Sequence, residues 1–468
     1  MAVLDQPKAT ASQAFPGQAR AQRARFALSI RERRSLLAAA DFILGTAATL
    51  LAYMVHPGRL GSLPRVEPLI FGGIWVVALL IADGYSFQIP SSRIESAVAV
   101  VKALPMALLL AVLTFFLRPY ILNRPIIVLA LAIGAGLLIL MRITLARLLL
   151  HESLAVRAVL LSDVEPRAEM KATLQAARYE YRVLATLIGS SDDGNRRDDL
   201  LSEVSDLLKR CEAHELIVTS SELRLIPGVA EECLTQGVRV VSGADLVERY
   251  MGRVPIETID VHWYLSLRDN DVLERPYAVG RRLADLLLSV LFGVPFLLLL
   301  PCLVLLIKLD SRGPVLHSQR RIGEHGHEFS LLKLRTMVAH AEAGGPRYTE
   351  TGDSRVTRVG RFLRTTRLDE FPQLLNIVRG EMSFIGPRPE RPEFIADLEQ
   401  RIPHFRSRLL IKPGLTGWAQ IKGGYASTVP EITRKLEFDL YYIRNRSFHL
   451  DLQILFATFA TVLGRRGR

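Results

Sequence analysis

The chain has 468 residues, of which 49% are hydrophobic, and a formal net charge of +12. This length excludes a single core and predicts about two to four domains. The three cysteines are far apart in the sequence, which excludes a disulfide framework and a cysteine-bound zinc site. Basic residues cluster beside apolar runs, a pattern that fits anionic membrane lipids better than nucleic acid, so no nucleic-acid partner is expected.

The first part of the chain predicts a membrane anchor. Residues 1–35 are polar and rich in Ala, Gln and Arg, and we expect a disordered basic cytoplasmic tail. Apolar runs follow at about 36–55, 69–83, 97–117 and 126–150, each near or above the length that crosses a bilayer, and they predict a four-helix transmembrane region over 36–150. Arginines before the first run and at the end of the fourth, including Arg142, place both ends on the cytoplasmic side.

Residues 151–250 change character. Short apolar runs at 158–161, 183–188, 216–218 and 238–241 alternate with amphipathic stretches, which predicts a Rossmann-like, doubly wound domain with a parallel sheet. The first predicted strand runs into Ser162-Asp163-Val164 without a glycine, so the backbone cannot approach a pyrophosphate closely. We therefore expect a structural or regulatory domain rather than one that binds a cofactor.

Residues 251–275 are expected to form a linker, and a last domain extends over 276–468. This domain opens with an uncharged apolar segment, residues 286–307, which Pro295 and Pro301 interrupt. Basic residues flank both ends of the segment, so it predicts a re-entrant membrane hairpin over 283–308, with a fifth crossing helix as the alternative. Near the end of the chain, apolar residues 450–463 predict an interfacial helix or a buried core helix.

Two adjacent acids, Asp369 and Glu370, lie within the stretch 363–391. Pro372 suits the first position of a helix and Gly380 suits the residue after its end, so the acids are expected at or just before a helix N-terminus. Unpaired N–H groups and the positive end of the helix dipole favour ionised carboxylates and bound phosphate there. A capping carboxylate beside a solvated one is the alternative.

Basic side chains are dense on the N-terminal side of this acidic pair. Five arginines recur at every third position from Arg355 to Arg367, and this spacing cannot place all of them on one helix face. We expect some of them to meet lipid head groups and one or two to meet substrate phosphate. His325 and His327 lie on a glycine turn without a fitting third ligand, and we expect them to be exposed to solvent rather than to bind a metal.

Several motifs of the last domain occur in the order found in a known family. They are KLDSRGPV, QRRIG, KLRTM, RVGRFLRTTRLDEFPQLLNIVRGEMSFIGPRPE, KPGLTGWAQIKG and EFDLYYIRN. On these motifs the region from about 276 to 468 resembles the catalytic domain of the bacterial sugar transferases, the monotopic polyprenyl-phosphate hexose-1-phosphate transferases. The whole chain resembles their long exopolysaccharide-initiating members, which implies four helices, a CoA-binding-like domain and a mostly α catalytic domain.

The resemblance also implies roles for individual residues. Asp369 corresponds to the family's proposed covalent nucleophile, and Glu370 corresponds to the acid that helps to hold Mg²⁺. Substrate contacts are implied for four basic residues and a further acid, namely Lys333, Arg335, Arg364, Arg388 and Asp439.

The implied reaction transfers a hexose 1-phosphate from a UDP-sugar to undecaprenyl phosphate and releases UMP, with Mg²⁺ as the cofactor. The implied setting is the cytoplasmic face of the bacterial inner membrane, among its lipids. Two other classes stay open: a lipid-linked glycosyltransferase that releases UDP, and a non-catalytic scaffold for polysaccharide assembly. The sequence does not select the sugar, the polyprenyl length or the oligomeric state, a homo-oligomer included.

Overall fold

The computed structural model describes residues 30–55, 66–82, 84–85, 93–117, 124–149, 155–162, 165–166, 168–178, 181–188, 196–219, 227–267, 271–338, 353–424 and 428–463. The chain divides into two compact units, Met1–Gly252 and Arg253–Arg468. The expected disordered tail lies outside the described residues as far as residue 29. The described chain is mostly helical, in agreement with the predicted class.

The first unit begins with four apolar helices: α1 (Ile30–Val55), α2 (Glu67–Ile81), α3 (Arg93–Leu117) and α4 (Arg124–Leu149). Each helix packs against the next, and α4 also packs against α1, so the four close into a bundle. Trp75 of α2 is fully buried in the core of this bundle. Gly134 of α4 permits this packing, because a Cβ atom there would lie 2.6 Å from the Trp75 indole nitrogen.

Three of these helices contain a stretch long and apolar enough to cross a membrane: Ser35–Val55, Ser96–Phe116 and Arg124–Thr144. Helix α2 has 15 residues, which gives about 22 Å and is shorter than a hydrocarbon core of about 30 Å. The remaining such stretch in the described residues is Arg275–Asp310, in the second unit. The membrane class is thus confirmed, while the second predicted run forms a shorter helix.

A buried ion pair joins α1 to α4. The Arg142 guanidinium donates to both carboxylate oxygens of Asp41, at 2.5 Å from Nη2 and 3.3 Å from Nε. Arg142 also donates to the Gly84 carbonyl at 2.8 Å, and the Tyr85 hydroxyl donates to Asp41 at 2.8 Å. Asp41, the segment after α2 and the last part of α4 therefore meet at one place in the bundle. Arg142, which we expected to mark a cytoplasmic exit, is 1% exposed and has its partners within the bundle.

A parallel four-stranded sheet follows in the order β2-β1-β3-β4, with strands β1 (Val156–Ser162), β2 (Tyr181–Ile188), β3 (Glu215–Val218) and β4 (Arg239–Ser242). The helices of this region are α5 (Ala168–Ala176), α6 (Arg196–Cys211), α7 (Pro227–Thr235) and α8 (Gly243–Met251). Val159 and Leu161 of β1 pack with α6 and α7, whereas Ala158 and Leu160 pack with α5 and α8. Helices cover both faces of the sheet, so β1 is a continuous apolar run.

The second unit contains α9 (Val261–Ser266), α10 (Asp271–Asp310), α11 (Arg358–Thr366), α12 (Gln373–Arg379), α13 (Pro392–Arg401), α14 (Trp418–Lys422), α15 (Val429–Asn445) and α16 (Phe448–Leu463). An antiparallel hairpin joins β5 (Leu316–Ile322) to β6 (Glu328–Leu334), and a parallel pair joins β7 (Ser383–Ile385) to β8 (Gly414–Thr416). The main core lies among α12, α13, α15 and α16, where Ile377, Leu440 and Ile454 are fully buried.

Helix α10 is a single helix of 40 residues, so the expected hairpin over 283–308 does not divide into two helices. Directly before its apolar part, Asp285 accepts hydrogen bonds from the Ser383 hydroxyl at 3.1 Å and the Phe384 amide at 3.0 Å. At its end, the Arg335 guanidinium donates to the carbonyls of Ile307 and Ser311. The side chains between these two attachments include many exposed apolar ones, among them Leu287, Val290, Leu291, Leu297, Leu298 and Leu305.

The segment before α10 also belongs to the second unit. Residues 253–267, which we expected to form a linker, place Val254, Ile256, Ile259 and Trp263 in the main core. At the other end of the unit, α16 buries Ile454 and leaves Phe459 half exposed. That helix therefore packs on the core through one face, while its other face is open.

Candidate active site

Asp369 and Glu370 lie in a tight turn between α11 and α12. After α11 the backbone of Arg367 takes the left-handed conformation, with φ 59°, which is unfavourable by about 1–2 kcal/mol for a residue with a Cβ atom. A single 3₁₀ turn containing both acids follows. Helix α12 starts directly after Pro372 and is followed by Gly380 with φ 83°. The predicted helix boundaries are thus correct to within one residue.

Glu370 is enclosed by three cations. Its Oε1 lies 3.4 Å from Lys333 Nζ and 3.5 Å from Arg388 Nη2, and its Oε2 lies 3.9 Å from Arg367 Nη1. Burial alone would raise the pKa of Glu370, but Lys333, Arg388 and Arg367 outweigh it and lower the pKa to about 2. Glu370 is therefore ionised at neutral pH.

Asp369 has a different environment although it is the next residue. It is 7% exposed, and in the described part of the chain its Oδ1 has no hydrogen-bond partner. Burial, together with the neighbouring Glu370 charge, raises the pKa of Asp369 to about 6, while Lys333 and Arg364 oppose the rise. The sequence predicted that both acids would be ionised; the raised pKa makes Asp369 the harder of the two to ionise, although it is still mostly ionised at pH 7. The difference arises because the carboxyl is buried, a property that the local sequence does not reveal.

Arg364 lies in the last turn of α11. Its Nε donates to the Thr336 hydroxyl at 2.9 Å, and its charge acts on Asp369. Together with the three cations around Glu370, four positive charges surround two carboxylates. This group has an excess of positive charge and suits a ligand that carries about two negative charges, such as a diphosphate.

The structure places Arg335, predicted to contact substrate, in another position. Its backbone amide pairs with Val315, and its side chain turns to the end of α10, where it donates to the Ser311 carbonyl at 2.6 Å and the Ser311 hydroxyl at 3.0 Å. The strand β6 ends at Leu334, so the alternation that directs Lys333 towards Glu370 does not continue to Arg335. In this structure Arg335 fastens α10 to β6.

Arg388 reaches Glu370 from a rigid loop, residues 386–389 with the sequence Gly-Pro-Arg-Pro. The Gly386 amide donates to the Thr416 carbonyl at 2.8 Å, and the Gly414 amide donates to the Pro387 carbonyl at 2.9 Å. A Cβ atom on Gly386 would collide with the Lys412 carbonyl. This close approach requires glycine and ties the loop to β8.

Asp439, the weakest match of the predicted site, does not contact the acidic pair. Its Oδ2 lies 2.9 Å from Arg408 Nη2, and the same nitrogen donates to the Arg388 carbonyl at 3.0 Å. Burial raises the pKa of Asp439 to about 6, against the opposing charge of Arg408. Asp439 therefore acts on Arg388 through Arg408, a residue that the sequence analysis missed.

Asn376 is a second residue that the sequence analysis did not single out. It is fully buried on α12, where its carboxamide accepts from the Leu332 amide at 3.2 Å and donates to the Ser330 carbonyl at 2.8 Å. A third bond, 2.6 Å long, joins it to Glu381. These bonds hold the edge of β6 and so fix Lys333. Asn376 could have been identified in the sequence as a polar residue at a core position of the amphipathic helix α12.

Glu370 and Asp369 are the residues that would hold a magnesium ion arriving with a substrate; the described residues contain no cluster of three or more possible metal ligands. Mg²⁺ prefers oxygen ligands, keeps several waters, and is often held by one or two carboxylates plus substrate phosphates. The Glu370 ion pairs, 3.4 to 3.9 Å long, are looser than tight charge-assisted hydrogen bonds and leave its oxygens available. The unpartnered Oδ1 of Asp369 offers one further oxygen.

Comparison with known proteins shows which family the chain resembles. A family model described as Bacterial sugar transferase matches residues 276–465. The chain is 36% identical over 300 residues to a UDP-N-acetylgalactosamine-undecaprenyl-phosphate N-acetylgalactosaminephosphotransferase of Aeromonas hydrophila. These residues are 64% of this chain and 63% of that protein. It is 36% identical over 221 residues to a UDP-glucose:undecaprenyl-phosphate glucose-1-phosphate transferase of Xanthomonas campestris pv. campestris, with 46% and 44% covered.

A third relative is shorter. The UDP-glucose:undecaprenyl-phosphate glucose-1-phosphate transferase of Caulobacter vibrioides is 41% identical over 202 residues, which are 42% of this chain and 76% of that protein. The chain spans less than two thirds of the Aeromonas and Xanthomonas proteins, but it covers most of this one. The predicted resemblance is confirmed, and the chain belongs to the bacterial sugar transferase family.

Proposed function

We propose that the chain transfers a hexose 1-phosphate from a UDP-sugar to undecaprenyl phosphate and releases UMP, as the first membrane step of exopolysaccharide, capsule or O-antigen synthesis. The observation that carries this proposal is the acidic pair, in which Asp369 has an unpartnered oxygen while Glu370 is enclosed by cations. The names of the relatives supply the two substrate classes, a UDP-sugar and undecaprenyl phosphate.

Asp369 is the better nucleophile of the two acids. Among the described residues no cation forms an ion pair with its carboxylate, whereas Glu370 Oε1 is paired with Lys333 and Arg388. A pKa of about 6 leaves Asp369 mostly ionised at pH 7 and more basic than an exposed carboxylate. In the first step an Asp369 oxygen attacks the sugar-linked phosphorus of the donor. The bond from that phosphorus to the bridging oxygen breaks, and UMP leaves with this oxygen.

The second step regenerates the enzyme. An oxygen of the undecaprenyl phosphate attacks the phosphorus of the aspartyl-phosphosugar, the bond to Asp369 breaks, and the lipid diphosphate sugar leaves. Arg388 and Arg364 suit the developing phosphoryl charge, because guanidinium groups bind phosphate through two-point contacts. Mg²⁺, held by Glu370 with Asp369 nearby, would supply further charge neutralisation on the diphosphate.

We infer that α10 enters the membrane from one side and does not cross it. Crossing would place the two ends of its apolar part on opposite faces of the bilayer. Both ends are instead bonded to the same polar unit, through Asp285 at the start and Arg335 at the end. The exposed apolar side chains between them fit insertion into one leaflet. The cytoplasmic placement of Asp369, where nucleotide sugars are made, further requires that the N-terminus lies inside and that the short helix α2 crosses together with α1, α3 and α4, since three crossings would place Asp369 outside.

Product analysis tests the proposal. The purified full chain is incubated with undecaprenyl phosphate and with UDP-glucose, UDP-galactose or UDP-N-acetylgalactosamine labelled in the sugar. We expect label in a lipid product and release of UMP. Release of UDP would indicate attack at the sugar carbon, and the absence of turnover with every donor would favour a scaffold.

The nucleophile is tested without the lipid acceptor. We expect labelled sugar phosphate to remain on the wild-type protein and none to remain on Asp369→Asn, which should also lose turnover. Asp397→Asn is the matched control, because this exposed acid on α13 pairs only with Arg401 among the ion pairs of the described residues. Full activity of Asp369→Asn would refute the assignment.

A further inference from the structure

We propose that residues 253–267, which lie upstream of the matched family region, position the active-site loop that carries Arg388. These residues are called the upstream strap below. The inference rests on the proposed function, since it assigns the strap a part in the same site. It goes beyond that function because the residues given the positioning role lie outside the region that the family model matches.

The upstream strap is packed as part of the second unit. Its apolar side chains Val254, Ile256, Ile259 and Trp263 are all buried in the main core. The Asp260 carboxylate accepts from the Trp263 amide at 2.9 Å and so caps α9. The strap is therefore ordered by the same core that supports α15 and the segment before β8.

Polar contacts at both ends of the strap connect it to that core. The Arg253 guanidinium donates to the Glu437 carboxylate, and both side chains are largely buried, at 18% and 7% exposed. The Val254 amide donates to the Glu437 carbonyl at 3.1 Å. At the other end of the strap, the Tyr264 hydroxyl lies 2.8 Å from the Ser407 hydroxyl. The strap thus contacts α15 at Glu437 and the 3₁₀ segment Phe405–Leu410 at Ser407.

Each residue that the strap contacts lies one or two positions before a residue that holds the loop. Ser407 directly precedes Arg408, and Glu437 lies two residues before Asp439. Arg408 and Asp439 form the ion pair beneath the Arg388 carbonyl. A shift of Ser407 or Glu437 would therefore move the Arg408–Asp439 ion pair that fixes the Arg388 backbone. Arg388 in turn lies 3.5 Å from Glu370.

The test must measure energetic coupling between the strap contacts and the Arg388 loop. Tyr264 is suited to this, because its ring is 37% exposed and Tyr264→Phe removes only the hydroxyl oxygen. We expect the kcat/KM for the UDP-sugar to fall about threefold to tenfold with an unchanged thermal midpoint. Val261→Ala, on the exposed side of α9, is the matched control and should stay within about twofold of wild type.

A double-mutant cycle separates positioning from a structural role. If Tyr264 acts through Arg408, the loss caused by Tyr264→Phe should largely disappear in an Arg408→Lys background. Arg253→Lys should keep most of the activity that Arg253→Met loses, since the lysine retains the charge facing Glu437. Additive losses, or a loss that follows the thermal midpoint, would overturn the inference.

Hydrogen exchange supplies a readout that does not depend on turnover. In Tyr264→Phe the amides of Gly386, Arg388 and Glu390, the non-proline residues of the segment 386–390, should exchange faster than in wild type, while those of α12 should not change. If the wild-type chain releases no UMP, the proposed function fails, yet this measurement still tests the strap. If wild type is active and Tyr264→Phe matches it in kcat/KM and in exchange, the strap has no positioning role.

Discussion

Replacing Asp369 by asparagine should abolish turnover and at the same time stabilise the folded second unit at alkaline pH. The carboxyl is buried without a partner for Oδ1, and burial raises its pKa from 3.8 to about 6. A carboxyl with a raised pKa binds its proton more tightly in the folded state. Folding is therefore penalised above about pH 6, where the buried group must ionise, and is not penalised below about pH 4.

The magnitude follows from the size of the rise. At about 1.36 kcal/mol for each pH unit, the rise in the Asp369 pKa amounts to roughly 3 kcal/mol above pH 6. The asparagine amide would also be buried without a full set of partners, which removes part of this gain at about 1–2 kcal/mol. We expect a net stabilisation of about 1–2 kcal/mol, or roughly 2–8 °C in the thermal midpoint of a unit of this size.

The assay is thermal unfolding of the full chain in detergent at pH 8 and at pH 5. The midpoint of Asp369→Asn should exceed that of wild type at pH 8, and the difference should shrink at pH 5 as the wild-type carboxyl takes up its proton. Asp397→Asn should leave the midpoint unchanged at both values. A difference of the same size at both pH values would refute the assignment of the penalty to ionisation of Asp369.

Three further outcomes are expected. The kcat/KM should fall about tenfold for each pH unit below pH 6, because a protonated Asp369 cannot attack phosphorus; a flat pH profile down to pH 5 would contradict this. Asn376→Ala should lower the unfolding free energy by about 1–3 kcal/mol, since it leaves the Leu332 amide and the Ser330 carbonyl without their partner; denaturant titration of the full chain would measure it. Arg142→Met should destabilise the membrane bundle by about 3–5 kcal/mol, because it leaves Asp41 buried without its cation. The double variant Asp41→Leu, Arg142→Met should recover much of this loss. Equal thermal midpoints for the single and double variants would show that the unpaired acid is not the cause.

The local signals in the sequence predicted the turn that carries the acidic pair. Pro372 and Gly380 act within a few residues of α12, so their effect does not depend on the rest of the fold. The parallel sheet of the first unit followed from the alternation of apolar runs with amphipathic stretches for the same reason. These features are encoded over short distances along the chain.

Contacts between distant residues could not be predicted in this way. Asp439 and Arg408 meet only because α15 packs against the segment before β8, and nothing near either residue indicates the other. Arg335 was assigned to the site from its motif, but the direction of its side chain depends on where β6 ends. Pro295 and Pro301 of α10 suggested a break, yet the helix continues through both of them as one helix of 40 residues.

The pairing of Asp41 with Arg142 has a consequence for biogenesis. The two residues are separated by 101 positions, so α1 leaves the ribosome well before its counter-ion exists. At about 5–20 residues per second, this interval lasts roughly 5–20 s. During that time α1 carries an acid that opposes its insertion by about 2.5–3.5 kcal/mol at the bilayer centre. Asp41 is the seventh residue of the 21-residue stretch Ser35–Val55, so its actual cost lies below this central value. The first helix therefore gains its buried ion pair, and with it part of its stability in the bundle, only after the fourth helix has been made.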